Sequence, residues 1–259
     1  MQQLRLFFIA LQFFTRLPIP RWVGFEAAWL NHASRYFPLV GLVVGGIAAG
    51  VYAGAALFLP APVAAVLSTA ATIYLTGAFH EDGFADTCDG LGGGMTRERA
   101  LEIMKDSRVG AYGAIGVVCM LIAKCTTLAM LPPASAIAAL LLAHPLSRLA
   151  ATSLIWKMEY ARAEGKAKPL AERMTAGEFG IAFLTVLLPA AALVLHGALQ
   201  VTALAAALAA ALLATFWLAR TFERRLGGYT GDCLGAVQQL SEVAIHIAVL
   251  ATLGHGALA

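Results

Sequence analysis

The chain has 259 residues, of which 60% are hydrophobic and only 13% charged, with a mean hydropathy of +0.77 and a formal net charge of +3. That balance excludes a soluble globular domain and offers no basic surface to a nucleic acid; it describes an all-α, polytopic helix bundle in membrane lipid, one domain over 1–259. Cys88, Cys119, Cys125 and Cys233 lack the CxxC spacing of a zinc or redox centre, so structural disulfides and thiolate metal sites are not expected.

In the first segment Leu4, Phe7, Phe8, Leu11 and Phe14 recur at helical spacing, which predicts a short helix lying in the interface or dipping into it. Arg16 and Arg21 follow with no small-residue cleavage site, so the segment reads as mature chain rather than signal peptide. Apolar runs then occur at 36–59, 63–79, 111–131, 136–156, 179–195, 201–219 and 234–253. Seven spans are expected, with six or eight open because the second, fifth and sixth runs are short or Ala-rich.

Charge placement supports this count. Sixteen of the eighteen Lys and Arg residues fall in the N-terminal segment or in the loops at 80–110, 157–178 and 220–233. Fourteen of the fifteen acids share that side, and only Glu242 lies within a span. By the positive-inside rule this side is cytoplasmic, which places the protein in the cell (inner) membrane with its chemistry at the cytoplasmic face.

Between the second and third spans comes HEDGFADTCDGLGGG, residues 80–94, with four acids in nine residues. Asp82, Asp86 and Asp89 are spaced i, i+4, i+7, so a helix continuing beyond the lipid presents all three on one side. Like charges in that position call for a cation, and a set of hard oxygen ligands suits Mg2+ or Mn2+. Glu81 lies off this face and ranks lower. Gly92 and Gly93 would let backbone approach a bulky anionic ligand. The plainer reading is a solvated acidic helix end.

Lys105, Asp106 and Arg108 precede the third span; the two cations either hold phosphate oxygens or anchor the span at the interface. Lys124, His144 and Arg148 lie within spans. Arg148 at the inner interface and Lys124 at the outer one are expected to snorkel, or else to line a substrate cavity. The loop carrying Tyr160, Arg162, Glu164 and Lys168 reads as a lid or a charged turn. At the start of the last span, GGYTGDCLGA offers Asp232, either a helix cap or a further ligand, with Gln239 and Glu242 following on its helical face. Two acidic elements at the same edge suggest one metal site shared between helices. Metal-bound carboxylates with nearby Lys and Arg at a membrane surface fit transfer of a phosphoryl-linked group from a nucleotide-diphosphate donor. A Walker A sequence and a GxSxG elbow are both absent.

HEDGFADTCDGLGGG, EIMKDSRVGAYG and GGYTGDCLGA, with FTRLP and FPLVGLVVG before them, resemble the cobalamin synthase (adenosylcobinamide-GDP ribazoletransferase) family, and the likeness runs from about Phe14 to Glu242. The resemblance implies a Mg2+-dependent membrane enzyme. Its donor would be adenosylcobinamide-GDP, its acceptor α-ribazole or α-ribazole 5′-phosphate, and its leaving group GMP. Carried over residue by residue, Asp82, Asp86 and Asp89 match the family's acidic motif, Lys105, Asp106 and Arg108 its KDSR element, and Asp232 its TGD element. Cys88 and Cys233 stand where the family is expected to have small apolar residues, which touches neither charge nor spacing. In the mechanism so implied, the acidic cluster and Asp232 bind one or two ions, Lys105 and Arg108 hold phosphate, and Asp86, Asp89 or His80 accepts the ribazole hydroxyl proton. Arg148 joins the substrate-contact candidates, and a homo-oligomer is compatible with the pattern. A transporter and a CDP-alcohol or polyprenyl transferase are the rival readings.

Overall fold

A computed structural model describes residues 1–24, 26–162 and 173–254 of the chain. These fold into helices α1 (Gln2–Phe14), α2 (Ala27–Ala33), α3 (Phe37–Ala56), α4 (Ala61–Thr76), α5 (Phe79–Gly93) and α6 (Arg97–Ile103), followed by α7 (Ala111–Met130), α8 (Pro133–Lys157), α9 (Ala176–Leu195), α10 (Val201–Leu226) and α11 (Gly231–Thr252). The chain is a multi-pass membrane protein by helix length and composition. Among the described residues six helices are long and apolar enough to cross a bilayer, and α4 with α5 makes a seventh candidate as a pair bent by 90°. The expected count of seven therefore holds if the bent pair is one crossing.

Proline and glycine set the ends. Pro38, Pro60 and Pro132 stand at or next to the first residues of α3, α4 and α8, where a missing N–H costs nothing. The bend between α4 and α5 has a backbone cause: Gly77 at φ +66° and Ala78 at φ +58° both enter the left-handed region, the alanine at a cost of about 1 kcal/mol. Arg16 of the FTRLP stretch braces the bend, its N–H donating to the Leu75 carbonyl at 2.8 Å and its guanidinium lying over the Tyr74 ring.

The most enclosed span is α8, which packs along α3, α9 and α11. The outer faces of α9 and α10 leave Leu187, Leu188, Leu212, Leu213, Phe216 and Trp217 exposed, as a lipid-facing wall requires. At the other extreme α1 is anchored by its inner face, where the Phe14 ring meets Phe37 edge-on at 4.5 Å. A capping box opens α9, and its Glu178 also pairs with Arg35 and with His32, tying α2 to the bundle.

A polar layer lies between two apolar clusters of the core. Lys124 does not snorkel: its side chain is 2% exposed and pairs with Glu242 of α11. His144 Nδ1 lies 3.3 Å from the same carboxylate, and Gln238 donates to Glu242 and to Ser147. Arg148 is equally enclosed, and donates to the His144 carbonyl one turn back at 3.1 Å. Neither cation is an interfacial anchor: Lys124 finds a carboxylate partner inside the bundle in Glu242, and Arg148 is held there by the His144 carbonyl.

Candidate active site

The acid-bearing helices meet backbone to backbone. Gly83 of α5 faces Asp232 of α11 so closely that a Cβ there would come within 3.0 Å of the Asp232 carbonyl oxygen. A Cβ on Gly235 would stand 3.1 Å from the His80 carbonyl oxygen, so the crossing relies on hydrogen-sized side chains at both points. The TGD stretch supplies the start of α11: Thr230 is the N-cap and accepts from the Cys233 N–H at 3.4 Å. Asp232 thus sits in a helix's first turn, where a carboxylate is favoured, beside the acids of the other motif.

Asp82, Asp86 and Asp232 line one cavity of about 520 Å³ together with Lys105 and Arg162. Burial pushes the Asp86 carboxyl up to about 7, and the neighbouring Asp232 and Asp82 carboxylates add to the rise. Arg162 opposes this, with its Nη2 2.9 Å from Asp232 Oδ2. An oxygen-only donor set of this kind is suited to a small divalent cation. Among the described residues no three ligating side chains already converge on one point.

The remaining sequence candidates divide by place. Asp89 is not on this cavity. Its two oxygens accept from the Gly110 and Gly113 N–H groups at 2.7 and 2.8 Å, so α5 caps the first turn of α7 in trans. The common face expected of Asp82, Asp86 and Asp89 is divided because α7 crosses α5 on the Asp89 side. Asp89→Ala is expected to lower stability by about 2 kcal/mol through the lost charge-assisted bonds. Thermal unfolding in detergent measures this, and an unchanged midpoint would contradict it. Glu81 is buried and accepts from Gln239 Nε2 at 2.9 Å, while Glu242 belongs to the polar layer, so neither extends the cavity. His80 stacks on Phe14 at 5.4 Å and, with Arg148, lines a narrow aromatic pocket of about 30 Å³ next to the cavity.

The KDSR element is split as well. Lys105 and Asp106 line the acidic cavity, whereas Arg108 and Gly93 line an adjoining hollow of about 500 Å³. Two oxygens of Asp106 accept from Arg108, which holds the Asp106 carboxyl down at about 2. Gly92 is covered by the Tyr112 ring, 2.5 Å from where a Cβ would stand. Glu164 and Lys168 of the proposed lid lie outside the described residues.

Over residues 6–250 the chain matches the cobalamin-5-phosphate synthase family. The chain belongs to that family. An adenosylcobinamide-GDP ribazoletransferase of Leptothrix cholodnii is 49% identical to it over 95% of each chain. One of Shewanella frigidimarina is 44% identical over 97% of this chain and 96% of its own length, and one of Ralstonia pickettii 47% identical over 93% of each. No solved structure matches. For a cobalamin-5-phosphate synthase family member, the residue that sequence reasoning left without a role is Arg162. It was one basic residue in a charged loop, and the only signal in the sequence was its position just after the fourth span.

Proposed function

We propose that the chain transfers the adenosylcobinamide-phosphate group of adenosylcobinamide-GDP to α-ribazole or α-ribazole 5′-phosphate, releasing GMP, with Mg2+ as the working ion. The observation that carries this reading is the gathering of Asp82, Asp86 and Asp232 from two helices, with Lys105 beside them, around one cavity at the edge of the bundle. The relatives' names supply the substrates, and the geometry supplies the means of handling a diphosphate.

Asp82, Asp86 and Asp232 would hold the ion. When bound, it draws negative charge from the diphosphate oxygens and from the departing nucleotide. Lys105 offers a mobile ammonium to the same oxygens. Of the groups read from sequence as bases, Asp86 is the one that lines the cavity, so we assign the acceptor hydroxyl proton to whichever of its two oxygens the ion would leave free. Asp89 and Glu81 hold α5 in register from its other sides, through α7 and α11. The basic segments gather at this edge, which we place at the cytoplasmic face of the cell membrane.

Purified full-length protein in detergent, given adenosylcobinamide-GDP, α-ribazole and Mg2+, is expected to release GMP. EDTA should abolish release and added Mg2+ should restore it. A CDP-linked alcohol donor should yield no CMP, which separates this chemistry from that of a CDP-alcohol transferase. GMP release that is missing, or that survives EDTA, would overturn the reading.

A further inference from the structure

We propose that Arg162 is the resident countercation of the acidic cavity and a diphosphate ligand: it neutralises Asp232 while the site is empty and passes to a donor phosphate oxygen when a divalent ion takes the carboxylates. The inference rests on the reading of this cavity as a diphosphate and divalent-ion site, and goes beyond it by naming a residue and an exchange.

Three observations carry it. The first is delivery. The backbone on the near side of Arg162 is pinned, since Ala161 N–H donates to the Tyr229 carbonyl at 2.8 Å and Tyr229 N–H to the Glu159 carbonyl at 3.0 Å. Arg97 clamps the same corner, donating to the Ala161 carbonyl at 3.1 Å and to the Leu226 carbonyl at 2.6 Å. Tyr229 lies just ahead of the α11 N-cap, so this bridge fixes Arg162 against the helix that carries Asp232.

The second is unused capacity. The Arg162 side chain is only 11% exposed, yet its contact to a described residue is the one pair with Asp232, and its Nε finds no hydrogen-bond partner among the described residues. A guanidinium has five donors in a planar fork that matches phosphate oxygens two at a time. A buried arginine with idle donors on a cavity of this size is set up for an incoming anion, since unmet donors are costly to keep.

The third is charge. The cavity lining carries Asp82, Asp86, Asp106 and Asp232 against Lys105 and Arg162, with Asp106 already paired to Arg108. A divalent ion together with a diphosphate diester is neutral overall, so it enters without changing this balance. The ion takes over the role of Arg162 at Asp232, and the diphosphate takes over the role of Asp232 at Arg162. One ion pair is exchanged for another. A guanidinium serving only to hold its loop in place would have no reason to leave the carboxylate.

The exchange makes Arg162 act on the two ligands with opposite sign. Mn2+ alone, followed by electron paramagnetic resonance, and GDP in the presence of Mn2+ are titrated into full-length wild type, Arg162→Met and Arg162→Lys in detergent. Arg162→Met is expected to bind Mn2+ alone about fivefold more tightly, because no guanidinium has to be displaced, and to bind GDP at least about fivefold more weakly. Arg162→Lys keeps the charge without the fork, so it should hold Mn2+ like the wild type and lose part of the GDP affinity. If Arg162→Met stays within twofold of wild type for both ligands, or moves both in the same direction, the exchange is overturned and the cavity reading stands. Wild type that binds neither Mn2+ nor GDP overturns the cavity reading itself. Should Arg162→Met not fold, the Arg162→Lys titration decides: GDP affinity equal to wild type rules out the fork contact.

Discussion

Asp82→Asn and Asp86→Asn are each expected to cut GMP release by at least about 10²-fold, the scale seen when a preorganised electrostatic contact to a transition state is removed. Both proteins should still insert and unfold no earlier than wild type. Asp82, Asp86 and Asp232 share a cavity, and burial together with the other two carboxylates drives the Asp86 carboxyl up to about 7. Neutralising one member relieves repulsion in the folded chain while removing what the cation and diphosphate need. Stability and activity therefore move apart, as they do where a site is built against folding. Turnover is read as GMP formed, and stability as the unfolding midpoint in detergent. Turnover within threefold of wild type in both variants would take the cluster out of the reaction. Loss of activity accompanied by a clearly lower midpoint would mark the acids as supports for the fold.

Lys124→Met is the second large effect. In the wild type the Lys124 ammonium and the Glu242 carboxylate are 2% and 1% exposed, and they pair in the middle of the bundle. Removing the lysine leaves a carboxylate inside the membrane protein with Gln238, His144, His246 and Arg148 as its remaining polar neighbours, at a cost of about 3–5 kcal/mol. The double substitution Lys124→Met, Glu242→Met removes both charges and should recover most of that loss, because an apolar pair of similar volume is close to neutral there. Unfolding midpoints of the wild type, both single variants and the double variant form the cycle. A double variant no more stable than Lys124→Met would contradict the pairing. The polar layer also reaches α5 through the Glu81 and Gln239 contact, so GMP release by the double variant reports how far the acid cluster depends on it.

Much of this architecture is legible in the sequence because lipid imposes strong rules. Apolar runs of the right length, proline at helix starts and one-sided basic segments locate the crossings, and the motif order brings residues 82, 86 and 232 to the same edge. What the chain hides is tertiary. The i, i+4, i+7 spacing of Asp82, Asp86 and Asp89 describes one helix in isolation. Only the crossing of α7 turns Asp89 into a cap for Gly110 and Gly113. Lys124 sits late in its span, where an interfacial anchor is the ordinary outcome, and its carboxylate partner is on a helix distant in sequence. The bend at Gly77 and Ala78 changes the direction of the chain by 90° without changing its hydropathy. Arg162 looks like any loop arginine until the Glu159 and Ala161 bonds to Tyr229 place it on Asp232.

We propose that carboxylates from α5 and α11 hold a divalent ion against a diphosphate in a single cavity. Mn2+ bound to the full-length protein with GDP tests it directly, by the hyperfine coupling of the metal to phosphorus-31. This coupling is expected in the wild type and is expected to be lost in Asp82→Asn and in Asp232→Asn alike, one from each helix. Coupling that persists unchanged in both variants would mean that the ion and the diphosphate meet elsewhere.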